Sequence, residues 1–233
     1  MKESKKLTEN NRGKTMLDIL FALASFLLAA FAFAFGAAKL FKKKKPLYWQ
    51  LLVCAAGCFA LQQLSCLVRL WCGAAEEANI GMLGIFGCNL FLFSANYGTL
   101  DGVVDDGNGS RSARRLALLA PVFLALLSAS VFFAWKQKNL LCAVIWVVLL
   151  LPALGASYFN LKHLLLPMDP FEFLRATRHS NLAALAFYVL TAVYGFVSAL
   201  SGAGIRGLIS VVMSAAVLGL VLCAVGGEKK WAI

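Results

Sequence analysis

The chain has 233 residues, 61% of them hydrophobic and only 14% charged, with a formal net charge of +11. So much apolar surface exceeds what one soluble core can hide, so lipid must act as part of the solvent. The basic charge would point to nucleic acid in a soluble domain, but here it falls between apolar segments, where it sets orientation and excludes that partner.

The first 15 residues, MKESKKLTENNRGKT, are polar and are expected to form a mobile tail. The first apolar block runs from Met16 to Leu40. It is longer than a signal-peptide core and carries no small-residue cleavage site before Lys42 to Lys45, so it reads as a retained helix. The alternation from Ala30 to Phe35 would suggest a strand in water, but the apolar run around it is too long for one. Asp18 is the only acid inside any apolar block, and it lies at the outer rim.

Six more blocks follow: Leu47 to Trp71, Ile80 to Leu100, Leu116 to Trp135, Leu140 to Leu161, Leu182 to Leu200, and Ile205 to Val225. Each has roughly the length that spans the ~30 Å hydrocarbon layer. Backbone groups in lipid must be satisfied within the segment, so all seven are expected to be helices. The expected fold is all-α: a polytopic integral membrane protein with a seven-transmembrane-helix bundle over residues 16–226 and a short tail, residues 227–233. With the N-terminus outside, the inner side collects Lys39, Lys42 to Lys45, Arg111, Arg114, Arg115, Lys162, Arg175, Arg178, Lys229 and Lys230, which favours N-out and C-in. A bacterial-type plasma membrane is the expected location.

A polar side chain at bilayer depth is a functional candidate by default. The second block carries Gln62, Gln63, Ser65 and Arg69, with positions 62, 65 and 69 on one helical face. Arg69, close to the end of its block, is expected to snorkel outward toward Glu76 and Glu77. The third block places Asn89 near its middle, and Ser94, Asn96 and Tyr97 toward its inner end. Asp101 follows one turn later, at the mouth of any pocket there. Asp105-Asp-Gly-Asn-Gly109 reads as a turn whose acids pair with Arg111, Arg114 and Arg115, and it lacks the ligand spacing of an EF-hand.

In the fifth block Pro152 removes a backbone donor and frees the carbonyl of Val148. Ser157, Tyr158 and Asn160 follow it. Asp169, Pro170 and Glu172 have the form of a helix start. The sixth helix is therefore expected to begin before its apolar block and to project Arg175, Arg178 and His179 at the headgroup level, toward anionic lipid or the acidic surface of a partner. Tyr188, Thr191, Tyr194 and Ser198 lie along that helix.

By depth, Gln62, Asn89 and Thr191 share the midplane, while Asn96, Tyr97, Tyr158 and Tyr188 form a layer below it. Together with Asp101 they outline an inward-opening polar-aromatic pocket for a small neutral or weakly polar ligand. The competing reading is that such groups bond across helices as glue, at about 0.6 kcal/mol each. That reading is favoured for Gln63, Ser65 and Ser214.

Six of the seven cysteines fall within blocks and Cys72 at the edge of one. This is neither a disulfide framework nor a metal motif, although a bridge between Cys72 and Cys142 is geometrically conceivable. His163 and His179 show no tight ligand spacing, and there is no nucleophile elbow, Walker loop or pair of carboxylates inside a block. No enzyme activity, metal or cofactor is expected. The leading expectation is a small membrane sensor or ligand-binding protein, in contact with lipid, that acts through a protein partner at its cytoplasmic face via Arg175, Arg178 and His179. A small-solute transporter or channel is the alternative, and an accessory subunit of a membrane complex is the third.

Overall fold

The computed structural model describes residues 2–41, 46–72, 81–97, 111–165, 172–200 and 203–227, and all regular structure among them is helical. The helices are α1 (Lys2–Leu40), α2 (Leu47–Cys72), α3 (Met82–Ala95), α4 (Arg111–Ala117), α5 (Leu119–Lys136), α6 (Leu140–Leu165), α7 (Glu172–Leu200) and α8 (Ala203–Gly227). Only Leu118 separates α4 from α5, and the two form one apolar stretch, Ser112–Lys136. That stretch, α2, α6 and the apolar parts of α1, α7 and α8 make six helices long and apolar enough to cross a membrane. The protein is accordingly an integral membrane protein, and the exposure of its outward-facing leucines, valines and phenylalanines is consistent with contact with lipid.

Local sequence explains where several helices begin and end. The carbonyl of Pro46 accepts the N–H groups of Trp49 and Gln50, so the proline opens α2 at a position where its missing donor does no harm. Asn139 precedes α6, and its side-chain oxygen accepts the N–H of Cys142 at 3.1 Å, an N-cap bond. At the far end of α7, the Lys138 ammonium donates to the carbonyl of Ala199. The Trp135 indole donates to the carbonyl of Gly195 at 3.0 Å. The Lys138 bond serves the carbonyl-rich end of the helix.

The helices form a closed ring. α1 lies between α2 and α8, α8 packs on α7, α7 on α5 and α6, α6 on α3, and α3 returns to α2. α2 and α3 approach closely: a Cβ on Gly84 would stand 2.5 Å from the Cys58 carbonyl oxygen and 2.6 Å from the Gln62 Cβ. Only glycine permits that spacing. In the middle of the ring Phe59 of α2 meets Phe187 of α7 edge to face, with centroids 5.2 Å apart. Leu92, Leu150, Met213 and Val221 close the apolar core around this pair.

Residues 2–15 are helical and continue α1; no proline interrupts them. Of the apolar block Ile80 to Leu100, the described residues 81–97 form a helix of 14 residues followed by one wider π turn at Asn96 and Tyr97. At about 1.5 Å per residue that helix is roughly 21 Å long, against a ~30 Å hydrocarbon core. The π turn interrupts the regular ladder while the Asn96 N–H still reaches the Leu92 and Phe93 carbonyls. Cys72 and Cys142 are free thiols, the first exposed and the second buried. The helix start before the sixth block is met by α7, which begins at Glu172; Asp169 and Pro170 lie outside the described residues.

Candidate functional site

A partly open cavity of about 60 Å³ lies where the beginning of the apolar part of α1, the end of α2, the end of α7 and the beginning of α8 meet. Antiparallel neighbours bring these termini to one end of the bundle, here named the Asp18 end. α1 contributes Asp18 and, one turn on, Ala22. α2 contributes Gln63, Cys66, Arg69 and Leu70, which recur at helical spacing. Tyr194 comes from α7, and Arg206, Gly207 and Ser210 come from the first two turns of α8.

The floor of the cavity is a buried bond between helices. The Ser210 hydroxyl donates to the Gln63 side-chain oxygen at 2.8 Å. Below it the remaining hydroxyls turn back onto their own helices: Ser214 onto the Ser210 carbonyl at 2.9 Å, and Thr191 onto the Phe187 carbonyl at 2.8 Å. With Phe59 and Phe187 beneath, the cavity ends in a dry core. Its walls hold one carboxylate and two guanidinium groups, a local excess of one positive charge. The Nε of Arg69 is buried without a hydrogen-bond partner. Asp18 and Arg206 each engage other groups. A planar guanidinium with a spare N–H in a low-dielectric wall suits a carboxylate or another compact anion. The volume admits a few waters or a very small ligand.

The residues expected to form an inward pocket lie on α2, α3, α6 and α7 and just beyond α3. Gln62 is buried and donates to the Cys66 sulfur at 3.3 Å along its own helix. Asn89 donates to the Leu149 carbonyl at 2.9 Å, tying α3 to α6 one residue beyond the carbonyl that Pro152 releases. Asn96 donates to the Leu92 carbonyl at 3.2 Å. Tyr97 is 56% exposed and stacks on Phe93, with centroids 5.6 Å apart. It also meets Phe159, against which Tyr158 packs edge-on. Tyr188 is buried and accepts the Asn160 amide at 3.2 Å. Asp101 lies outside the described residues. Arg178 and His179 are exposed, while the side chain of Arg175 is outside the described set.

Tyr188 instead belongs to a buried polar cluster at the opposite end. Tyr48 of α2 lies near it. The Tyr48 hydroxyl in turn lies beside Ser180 of α7, whose Oγ lacks a well-formed hydrogen bond. Asn181 follows, 1% exposed, with neither amide atom bonded. The Asn160 oxygen and the Trp49 indole N–H are likewise unpartnered. Each such atom in a dry interior costs about 1–3 kcal/mol, so five together rival the whole ~5–15 kcal/mol stability of a domain.

Sequence reasoning missed the cavity and read its parts singly. Asp18 was a rim acid, Gln63 glue, and Arg69 a side chain leaving the bilayer. Arg69 lines the cavity together with Asp18 and the polar start of α8; Glu76 and Glu77, its expected partners, lie outside the described residues. The available signal was that Asp18, Arg69 and Arg206 share one rim in the expected topology. Comparison with known proteins gives no matching family, no similar curated protein and no similar solved structure.

Proposed function

We propose that the protein is a small membrane receptor that binds a compact anion, a short carboxylate or one of similar size, in the cavity at the Asp18 end. The single observation that carries this reading is the buried, unpartnered Nε of Arg69 in a wall shared with Asp18 and Arg206. Ionisable groups inside spans are costly to keep and mark ligand or ion sites. The ligand class departs from the neutral one expected from the sequence, because the cavity wall carries excess positive charge and Tyr97, Tyr158 and Tyr188 are not part of it.

Reception is favoured over transport by the floor. The Gln63–Ser210 bond and the Phe59–Phe187 pair close the route beneath the cavity. The exposed Arg178 and His179, at the other end of α7, form the surface through which a cytoplasmic partner would read the bound state. In this reading α3, with the π turn after it, is the seventh crossing element: its first turn touches Gln62 and Tyr97 meets Phe159. The N-terminus is then outside and the Asp18 end faces out, in a plasma membrane of bacterial type.

The test is thermal unfolding of the full chain in lipid nanodiscs with acetate, lactate, succinate or inorganic phosphate. At least one should raise the Tm of the wild type and leave Arg69→Ala unmoved. No anion-dependent shift in the wild type would refute the reading.

A further inference from the structure

We infer that the cluster around Tyr188 is a second, separate binding site: a buried chamber that holds an uncharged, hydrogen-bonding guest. The inference is independent of the anion cavity at the other end of the bundle. Three helices build the chamber. Ser180 of α7 lies beside the Tyr48 hydroxyl of α2. Tyr48 and Tyr188 are near one another, and Tyr188 accepts the amide of Asn160 on α6 at 3.2 Å. Asn181 shares the stripe of Tyr188 along α7, two turns nearer the helix start.

Asn181, Ser180 and Asn160 are 99% or more buried; both asparagines carry atoms without a hydrogen-bond partner, and the Ser180 hydroxyl, beside Tyr48, lacks a well-formed one. Buried polar groups in proteins are almost always satisfied, by ordered water where protein groups fail. Among the described residues no other side chain supplies the missing partners to Asn181.

The set of open atoms determines the class of guest. Asn181 offers a donor and an acceptor, Asn160 an acceptor, and the Ser180 hydroxyl either. An anion would face two amide oxygens, and a cation would face the amide donor. A neutral molecule that both donates and accepts satisfies them together. Lys162 and His163, buried at the end of α6, engage other groups. Water fits this description, as does a small hydroxylated or amide solute.

Thermal unfolding in nanodiscs separates a filled chamber from a dry seam. In a dry seam, Asn181→Leu removes an unsatisfied amide and leaves Tm unchanged or higher. In a filled chamber it expels the guest and strands Asn160 and Ser180, so Tm should fall by about 4 °C or more. An unchanged or raised Tm overturns the inference. If Asn181→Leu fails to fold, Ser180→Cys serves. Site mapping by mass spectrometry should find it modified by a small uncharged thiosulfonate at least about tenfold faster than Thr191→Cys in the dry core. Equal, slow modification overturns the inference. Glycerol or acetamide distinguishes the guest: a Tm rise in wild type beyond that in Ser180→Ala identifies a solute, and equal rises identify water. A wild-type-specific rise with acetate would overturn the assignment to uncharged guests.

Discussion

The Ser210 hydroxyl donates to the Gln63 side-chain oxygen at 2.8 Å, joining α8 to α2 beneath a cavity that also contains Asp18, Arg69 and Arg206. The bond closes the cavity and holds its two arginine-bearing helices in register. A polar contact of this kind in lipid averages about 0.6 kcal/mol, with a maximum near 1.7. A double-mutant cycle with Gln63→Leu and Ser210→Ala should return a coupling in that range, read from unfolding in nanodiscs. Additive single effects would remove the bond from the account.

Arg69 is the discriminating side chain for ligand. Arg69→Ala should weaken the binding of a carboxylate at least tenfold, equivalent to about 1.4 kcal/mol. Arg69→Lys should recover only part of it, because the ammonium lacks the planar fork and the Nε donor. Titration calorimetry on the three proteins checks the order. Full recovery in the lysine variant would mean that charge alone is read.

Tyr97→Phe should leave the carboxylate response unchanged. Its ring is 56% exposed and packed on Phe93 and Phe159, which places it with lipid-facing aromatics and away from the cavity. Loss of the ligand-dependent Tm shift in this variant would restore the inward pocket expected from sequence.

Gly84→Ala should destabilise the bundle by about 1–3 kcal/mol, the usual range for overpacking. The new methyl would strike the Cys58 carbonyl, which is backbone and cannot rotate aside. Thermal unfolding measures the loss. Because the contact spreads α2 from α3, the variant should also bind carboxylate less tightly through the displaced Gln63.

Much of the fold was legible because apolar run length is a direct requirement of the bilayer. α2, predicted from Leu47 to Trp71, spans Leu47–Cys72, and α6, predicted to start at Leu140, does so. The site was less legible, because a span that is apolar all round carries no face that declares how it is rotated against its neighbours. Asn96 and Thr191 looked like pocket residues by depth, yet both bond the carbonyl four residues back on their own helices. Asp18, Arg69 and Arg206 looked like separate rim charges, and only the closure of α1, α2 and α8 brings them to one cavity. The short α3 was hidden by composition too, since the π turn at Asn96 leaves the apolar pattern intact.

The anion cavity can be probed most directly through Cys66, a native thiol in its wall. In oriented vesicles the rates of Cys66 modification by anionic and cationic thiosulfonates of similar size should be compared, with and without carboxylate. The account predicts that the anionic reagent reacts at least about tenfold faster in the wild type, only from the Asp18 end, and that carboxylate protects the thiol while Arg69→Ala abolishes the preference. Equal rates for both reagents, or labelling from either side of the membrane, would contradict it.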